Sequence, residues 1–170
     1  LKDFFGGRED IENRILRAVG EPGRRFYEDA LRIMRLFRFS SVLGFNIEEN
    51  TLKAALEYAP TLKSVSAERI YSELLKTLCG KNPAALKPLT DIGGLGFLGV
   101  NTSPDYGILP LLNSADTKLF AFLYSGGAEV SPALDFLKVS NKTKKNTQDM
   151  LTLLNMPFPK TKPEIKEMLY

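Results

Sequence analysis

The stretch Arg25–Phe39, RFYEDALRIMRLFRF, decides the fold. At about 100° per residue, Phe26, Ala30, Ile33, Met34 and Phe37 gather on one side as a core stripe. Arg25, Glu28, Asp29, Arg32 and Arg35 gather opposite, with Leu36 and Phe39 among them. The period predicts one helix from about Arg24 to Leu43, closed by Gly44 in a left-handed C-cap.

Helical spacing extends in both directions. Upstream, Ile11, Ile15, Leu16 and Val19 predict a helix over Arg8–Gly20, and Glu21-Pro22-Gly23 a turn. Downstream, Glu48–Tyr58 reads as a short amphipathic helix closed by Pro60. Ser66–Leu78 reads as another, with Ser64 or Ser66 as N-cap and Gly80 at its end. Asn82-Pro83 opens a further helix. Gly93–Pro110 is rich in glycine and proline, which predicts loops with short helical turns and a boundary between two helical parts. Thr117–Tyr124, Ser131–Leu137 and Asn141–Leu154 are helical in pattern, as is Glu164–Tyr170 after a proline-broken stretch. No segment alternates as a strand does. The expected class is all-α.

With 170 residues and 44% hydrophobic content, the chain can bury a core of one or two small domains. A net charge of +3 permits a nucleic-acid partner without demanding one. The single Cys79 excludes an internal disulfide and fits a reducing compartment. No apolar run reaches the roughly 18–20 residues of a membrane span and no secretory signal leads the chain, so the expectation is a cytoplasmic protein with no membrane partner. The absence of histidine removes imidazole bases, Ser-His-Asp triads and imidazole metal sites. No Asp-x-Asp pair offers carboxylates for a metal. The chain begins at Leu1 rather than Met, and is expected to be a piece of a larger protein.

Two readings of the charged face stand open. In one, Glu28 with Arg32 and Asp29 with Arg32 form ordinary helical ion pairs on a solvated surface, worth a few tenths of a kcal/mol each. In the other, the face reads a nucleobase. A carboxylate only accepts hydrogen bonds and a guanidinium only donates them. Cytosine offers an amino donor (N4) beside an acceptor (N3), and adenine offers N6 beside N1, so an Asp29–Arg32 pair matches both. Uracil and guanine present the reverse order and leave both groups mismatched. Three arginines and no lysine on this face favour planar, forked recognition.

The residues DFFGGREDIENRILRAVG, the run GEPGRRFYEDALRIMRLFRFSSVLGFNIEENT and the stretch SVSAERIYSELLK together resemble the bacterial (class II) tRNA nucleotidyltransferase and poly(A) polymerase family. The match covers about residues 1–78, where that family's catalytic head ends and its neck begins. The resemblance implies that the E-D-x-x-R motif, Glu28-Asp29-Ala30-Leu31-Arg32, reads CTP and ATP: Asp29 and Arg32 face the base edge and Glu28 orients Arg32. Arg25 and Arg35 stand open between phosphate contact and solvated charge. Asp3, Gly6, Gly7, Asp10 and Arg17 resemble the head–neck link, and Ser66, Glu68 and Arg69 the stretch that closes the neck, with hinge and packing roles expected. A weaker likeness at LDFLKVSNKTKK implies that Lys138, Lys142, Lys144 and Lys145 take RNA phosphates; the alternative is a solvated lysine cluster. GGLGFLG lacks the lysine and the context of a phosphate loop.

The implied organisation is the end of the head and a linker over 1–22, a neck over 23–92 and a body over 93–170. The implied function is the nucleotide-selecting neck and RNA-binding body of a template-independent CCA-adding enzyme. Its partners are the tRNA 3′ end, CTP and ATP, and Mg²⁺ is held by a missing catalytic head. The chain alone is expected to be inactive. A poly(A) polymerase, a CC- or A-adding enzyme, a non-enzymatic RNA-binding module and a helical interaction domain are the alternatives.

Overall fold

A computed structural model describes Asp3 and residues 5–155. The expected helix over Glu164–Tyr170 and the proline-broken stretch before it lie outside these residues. The architecture is all-α, with helices packed in series: α1 Gly7–Glu12, α2 Pro22–Glu28, α3 Leu31–Leu43, α4 Glu49–Glu57, α5 Ala67–Leu78, α6 Lys87–Asp91, α7 Ala115–Ser125, α8 Val130–Phe136 and α9 Asn141–Asn155. Short 3-10 turns at Ala59–Ser64, Pro83–Leu86, Gly96–Leu98 and Leu109–Leu111 fill the proline- and glycine-rich connections.

Two expectations are corrected. The Arg8–Gly20 segment is not one helix. It stops after Glu12, turns at Arg14 with φ 56°, and runs extended as β1, Ile15–Leu16. There it pairs in parallel with β2, Asn46–Ile47, and Arg14 O and Leu16 O accept from Asn46 N and Glu48 N at 2.9 and 3.0 Å. These non-local bonds satisfy backbone groups that a continued helix would have satisfied locally.

The second correction concerns the deciding stretch itself. Arg24–Leu43 is broken at Asp29, which is extended at φ −152°, ψ 100°, between α2 and α3. Each helix has its own start. Pro22 occupies the first turn of α2 while the Glu21 carboxylate accepts from Gly23 N and Arg24 N. Asp29 Oδ1 accepts from Leu31 N at 3.1 Å and so opens α3. A short acidic side chain that bonds the nearby backbone competes with helix continuation. Phe26, Ile33, Met34 and Phe37 are buried as projected; Ala30, at the break, is only partly covered, and Leu31 is buried in its place. Gly44 closes α3 at φ 72°, as expected.

One apolar cluster runs from Phe26 on α2 to Val139 beyond α8. Within it α5 packs against α3 and also against α7. The α3–α5 approach is close at the end of α5. Ser41 Oγ donates to Thr77 O at 2.7 Å, and a Cβ on Gly80 would fall 2.2 Å from that hydroxyl and 2.9 Å from the Ser41 backbone.

Candidate functional site

The α2–α3 junction gathers charged groups around Glu28. Glu28 Oε2 accepts from Arg32 Nη1 at 3.0 Å and from Arg25 Nη1 at 3.2 Å, and Oε1 accepts from Arg24 Nε at 3.2 Å. Arg32 Nη1 also donates to Arg25 O at 3.2 Å, the carbonyl that accepts from Asp29 N at 3.4 Å where α2 ends. Arg25 is held by a second bond, from its Nε to Val19 O at 3.0 Å. The Arg32 guanidinium is thus held by a carboxylate and a carbonyl.

Arg32 opens on a cleft of about 400 Å³, a size that suits a small ligand. One wall is the segment from Leu16 to Val19. The other carries Arg25, Phe26, Arg32, Arg35, Leu36 and Phe39. The first wall is anchored by Ala18 N donating to Thr51 Oγ1 at 3.1 Å, and by Arg17, which pairs with Asp10 at 3.0 Å and Glu48 at 3.7 Å. Asp10 and Arg17 therefore join the α1 segment to the start of α4.

Asp29 stands beside the cleft and does not line it. Its Oδ1 is taken by Leu31 N, and its Oδ2 lies 3.6 Å from Arg69 Nη2 at the start of α5. The rigid-helix juxtaposition of Asp29 and Arg32 is replaced by a junction at which the two side chains diverge. Arg69, read from sequence as a hinge or packing residue, faces the Asp29 carboxylate. The only sequence signal for that contact is opposite charge in two distant motifs.

Glu28 is held below the usual carboxylate range, first by its hydrogen bond from Arg25 and then by that from Arg32, against a smaller opposing effect of burial. A lowered folded pKa means the clamp is complete above the ordinary value of 4.5 and is lost as pH falls through the folded value. Arginine side-chain NMR is expected to show the Arg32 Nη and Cζ chemical shifts constant from pH 8 to pH 5 and moving only on stronger acidification, as Glu28 takes up a proton.

Three relatives and one family model are similar to this chain. Residues 44–95 match the family described as the probable RNA and SrmB-binding site of polymerase A. The CCA-adding enzyme of Streptococcus gordonii is 56% identical over 99 residues, 58% of this chain and 25% of its own length. That of Staphylococcus aureus strain Newman is 32% identical across all of this chain and 43% of its own. The crystal structure of the Bacillus stearothermophilus CCA-adding enzyme in complex with CTP superposes with a TM-score of 0.80 at 36% identity, covering 90% of this chain and 41% of that one. The chain belongs to the bacterial-type tRNA nucleotidyltransferase family. It spans less than half the length of these relatives.

The lysine-rich end is half compensated, two of its four lysines being paired. Lys138 sits at φ 52° just beyond α8 and its Nζ donates to Glu68 at 2.8 Å, which holds the Glu68 carboxyl below its ordinary range. Lys144 pairs with Asp135. Lys142 and Lys145 are exposed on α9 with no carboxylate partner among the described residues. Among the described residues no group of three or more acidic, histidine or cysteine side chains could hold a metal ion, and no helix is long and apolar enough to cross a membrane.

Proposed function

We propose that this chain is the nucleotide-selecting neck and RNA-contacting body of a template-independent CCA-adding tRNA nucleotidyltransferase. The observation that carries the proposal is the Arg32 guanidinium, held by Glu28 and the Arg25 carbonyl and lining a cleft of about 400 Å³. Arg32 donates to N3 of cytosine or N1 of adenine, and Asp29 accepts from the neighbouring amino group. The 3.6 Å contact to Arg69, between half-exposed groups, costs about 1 kcal/mol or less to release, so Asp29 turns to the base at little expense. Similarity to the enzyme solved with CTP supports the same reading.

In the whole enzyme the partners are CTP, ATP and the tRNA 3′ end, and Mg²⁺ belongs to a catalytic head in the cytoplasm. The described residues hold no acid cluster fit for that ion, so no metal-dependent step is assigned to them. The 170-residue chain alone is expected to incorporate neither CMP nor AMP into tRNA lacking its CCA end; incorporation by the purified chain would refute this. The polymerase A match over residues 44–95 favours poly(A) synthesis as the second reading. Sequencing the products that the whole protein makes from such a tRNA separates the two: CCA termini support the first, homopolymeric A tails the second.

A further inference from the structure

We infer that Thr51 is a positioning residue of the cleft, its hydroxyl hanging the first wall on the start of α4. The inference rests on the reading of the cleft as a nucleotide site. The first wall, Leu16 to Val19, continues β1 beyond its pairing with β2. Asn46 N donates to Arg14 O and Glu48 N to Leu16 O, so the next bond of this parallel register would run from Ala18 N to Glu48 O. That carbonyl is already taken. Glu48 is the N-cap of α4, and its O accepts the first helical bond, from Leu52 N at 2.8 Å. Ala18 N donates instead to Thr51 Oγ1 at 3.1 Å, so a side-chain oxygen stands in for the ladder carbonyl.

The hydroxyl is fully committed. Thr51 is buried, and its one proton goes to Glu48 Oε2 at 2.8 Å, which leaves an acceptor pair for Ala18 N. The same carboxylate oxygen accepts from Thr51 N at 2.8 Å, so Glu48 fixes the threonine and the threonine fixes the wall. The next residue of the wall carries the effect across the cleft. Val19 O accepts from Arg25 Nε at 3.0 Å, Arg25 Nη1 donates to Glu28 Oε2 at 3.2 Å, and that oxygen also holds Arg32. Thr51 is thereby joined, through Ala18, Val19 and Arg25, to the Arg32 guanidinium on the opposite wall. Arg35 lines the cleft outside this chain of contacts and pairs with no carboxylate among the described residues. A wall held by one side-chain bond moves when that bond is lost, and both the width of the cleft and the aim of Arg32 move with it.

The test uses the protein that carries the head. Thr51→Val keeps the shape of the side chain and leaves Ala18 N without its acceptor. It is expected to raise KM for CTP and ATP about tenfold, with kcat and the KM for tRNA within about twofold. Thr51→Ser returns the hydroxyl without the methyl and restores the nucleotide KM, whereas a role in core packing would be restored by valine and not by serine. In the 170-residue chain, the Ala18 amide is expected to exchange with deuterium about tenfold faster in Thr51→Val than in Thr51→Ser. If Thr51→Val does not fold, Arg25→Lys breaks the same chain of contacts at an exposed residue. Lysine lacks the fork that meets Val19 O and Glu28 together, and the nucleotide KM is expected to rise likewise. Unchanged nucleotide KM, unchanged Ala18 exchange, or a Thr51→Ser variant that behaves as Thr51→Val overturns the inference. Failure of the base-reading assignment shows separately, as an unchanged CTP preference in variants of Asp29 or Arg32.

Discussion

Asp29→Asn in the head-bearing protein lowers the preference for CTP over UTP by about 10- to 100-fold while leaving the fold intact. The magnitude is that of a hydrogen bond to a charged group, about 1.5–3 kcal/mol. The choice of asparagine follows from the junction. Asp29 serves two purposes, because Oδ1 accepts from Leu31 N and opens α3 while Oδ2 is the oxygen available to a base. Alanine removes both, and a helix start lost in this way costs about 1 kcal/mol by itself. Asparagine keeps the acceptor for Leu31 and replaces the second oxygen by an amide donor. A donor there repels the N4 amino group of cytosine and tolerates O4 of uracil, so discrimination collapses from both sides. Arg32→Ala acts on the neighbouring atom of the same base edge and is expected to give a loss of similar size. The double variant loses less than the sum, since both groups address one ligand. The measurement is kcat/KM for each of the four nucleotides with tRNA primers. Retention of CTP and ATP preference in Asp29→Asn and Arg32→Ala would remove these residues from the reading role.

Phe37→Ala produces the largest expected loss of stability, about 3–5 kcal/mol. Phe37 is fully buried in the cluster where α3 meets α5, and truncation leaves a ring-sized cavity between elements that cannot close on it. A thermal midpoint lower by roughly 10 °C follows for a chain of this size. Val42→Ala, on the exposed side of the same helix, should stay within about 0.5 kcal/mol. Calorimetry or denaturant titration of this chain decides the point, and equal effects of the two substitutions would show that α3 does not carry the core. The consequence reaches the site as well. The helix that buries Phe37 presents Arg32, Arg35 and Phe39 to the cleft, so loosening its inner face broadens the positions of all three.

The sequence made some features legible and hid others for identifiable reasons. Gly44 closes α3 where a left-handed residue is needed, and Glu28 accepts from Arg32 four residues on; both depend on neighbours within about one turn. The break at Asp29 escaped periodicity because the buried set on either side, Phe26 and then Ile33, Met34 and Phe37, keeps facing one core. The extended Ile15–Leu16 pair escaped because its hydrogen-bond partners lie about thirty residues away. Arg69 was assigned to packing because nothing near it in the chain marks Asp29 as its partner.

What the sequence by itself determined is the helical class, the inward stripe of α3 and the chemistry available to Asp29 and Arg32. These follow from residue type and from spacing within a few turns, which local geometry converts directly into faces. Tertiary structure alone decided that the E-D-x-x-R motif lies at a junction, that Asp29 rests against Arg69, and that Arg35 reaches the cleft with its charge uncompensated. The reason is physical. Which charge meets which depends on where separate elements pack, and packing is set by the whole apolar core rather than by the residues beside each charge.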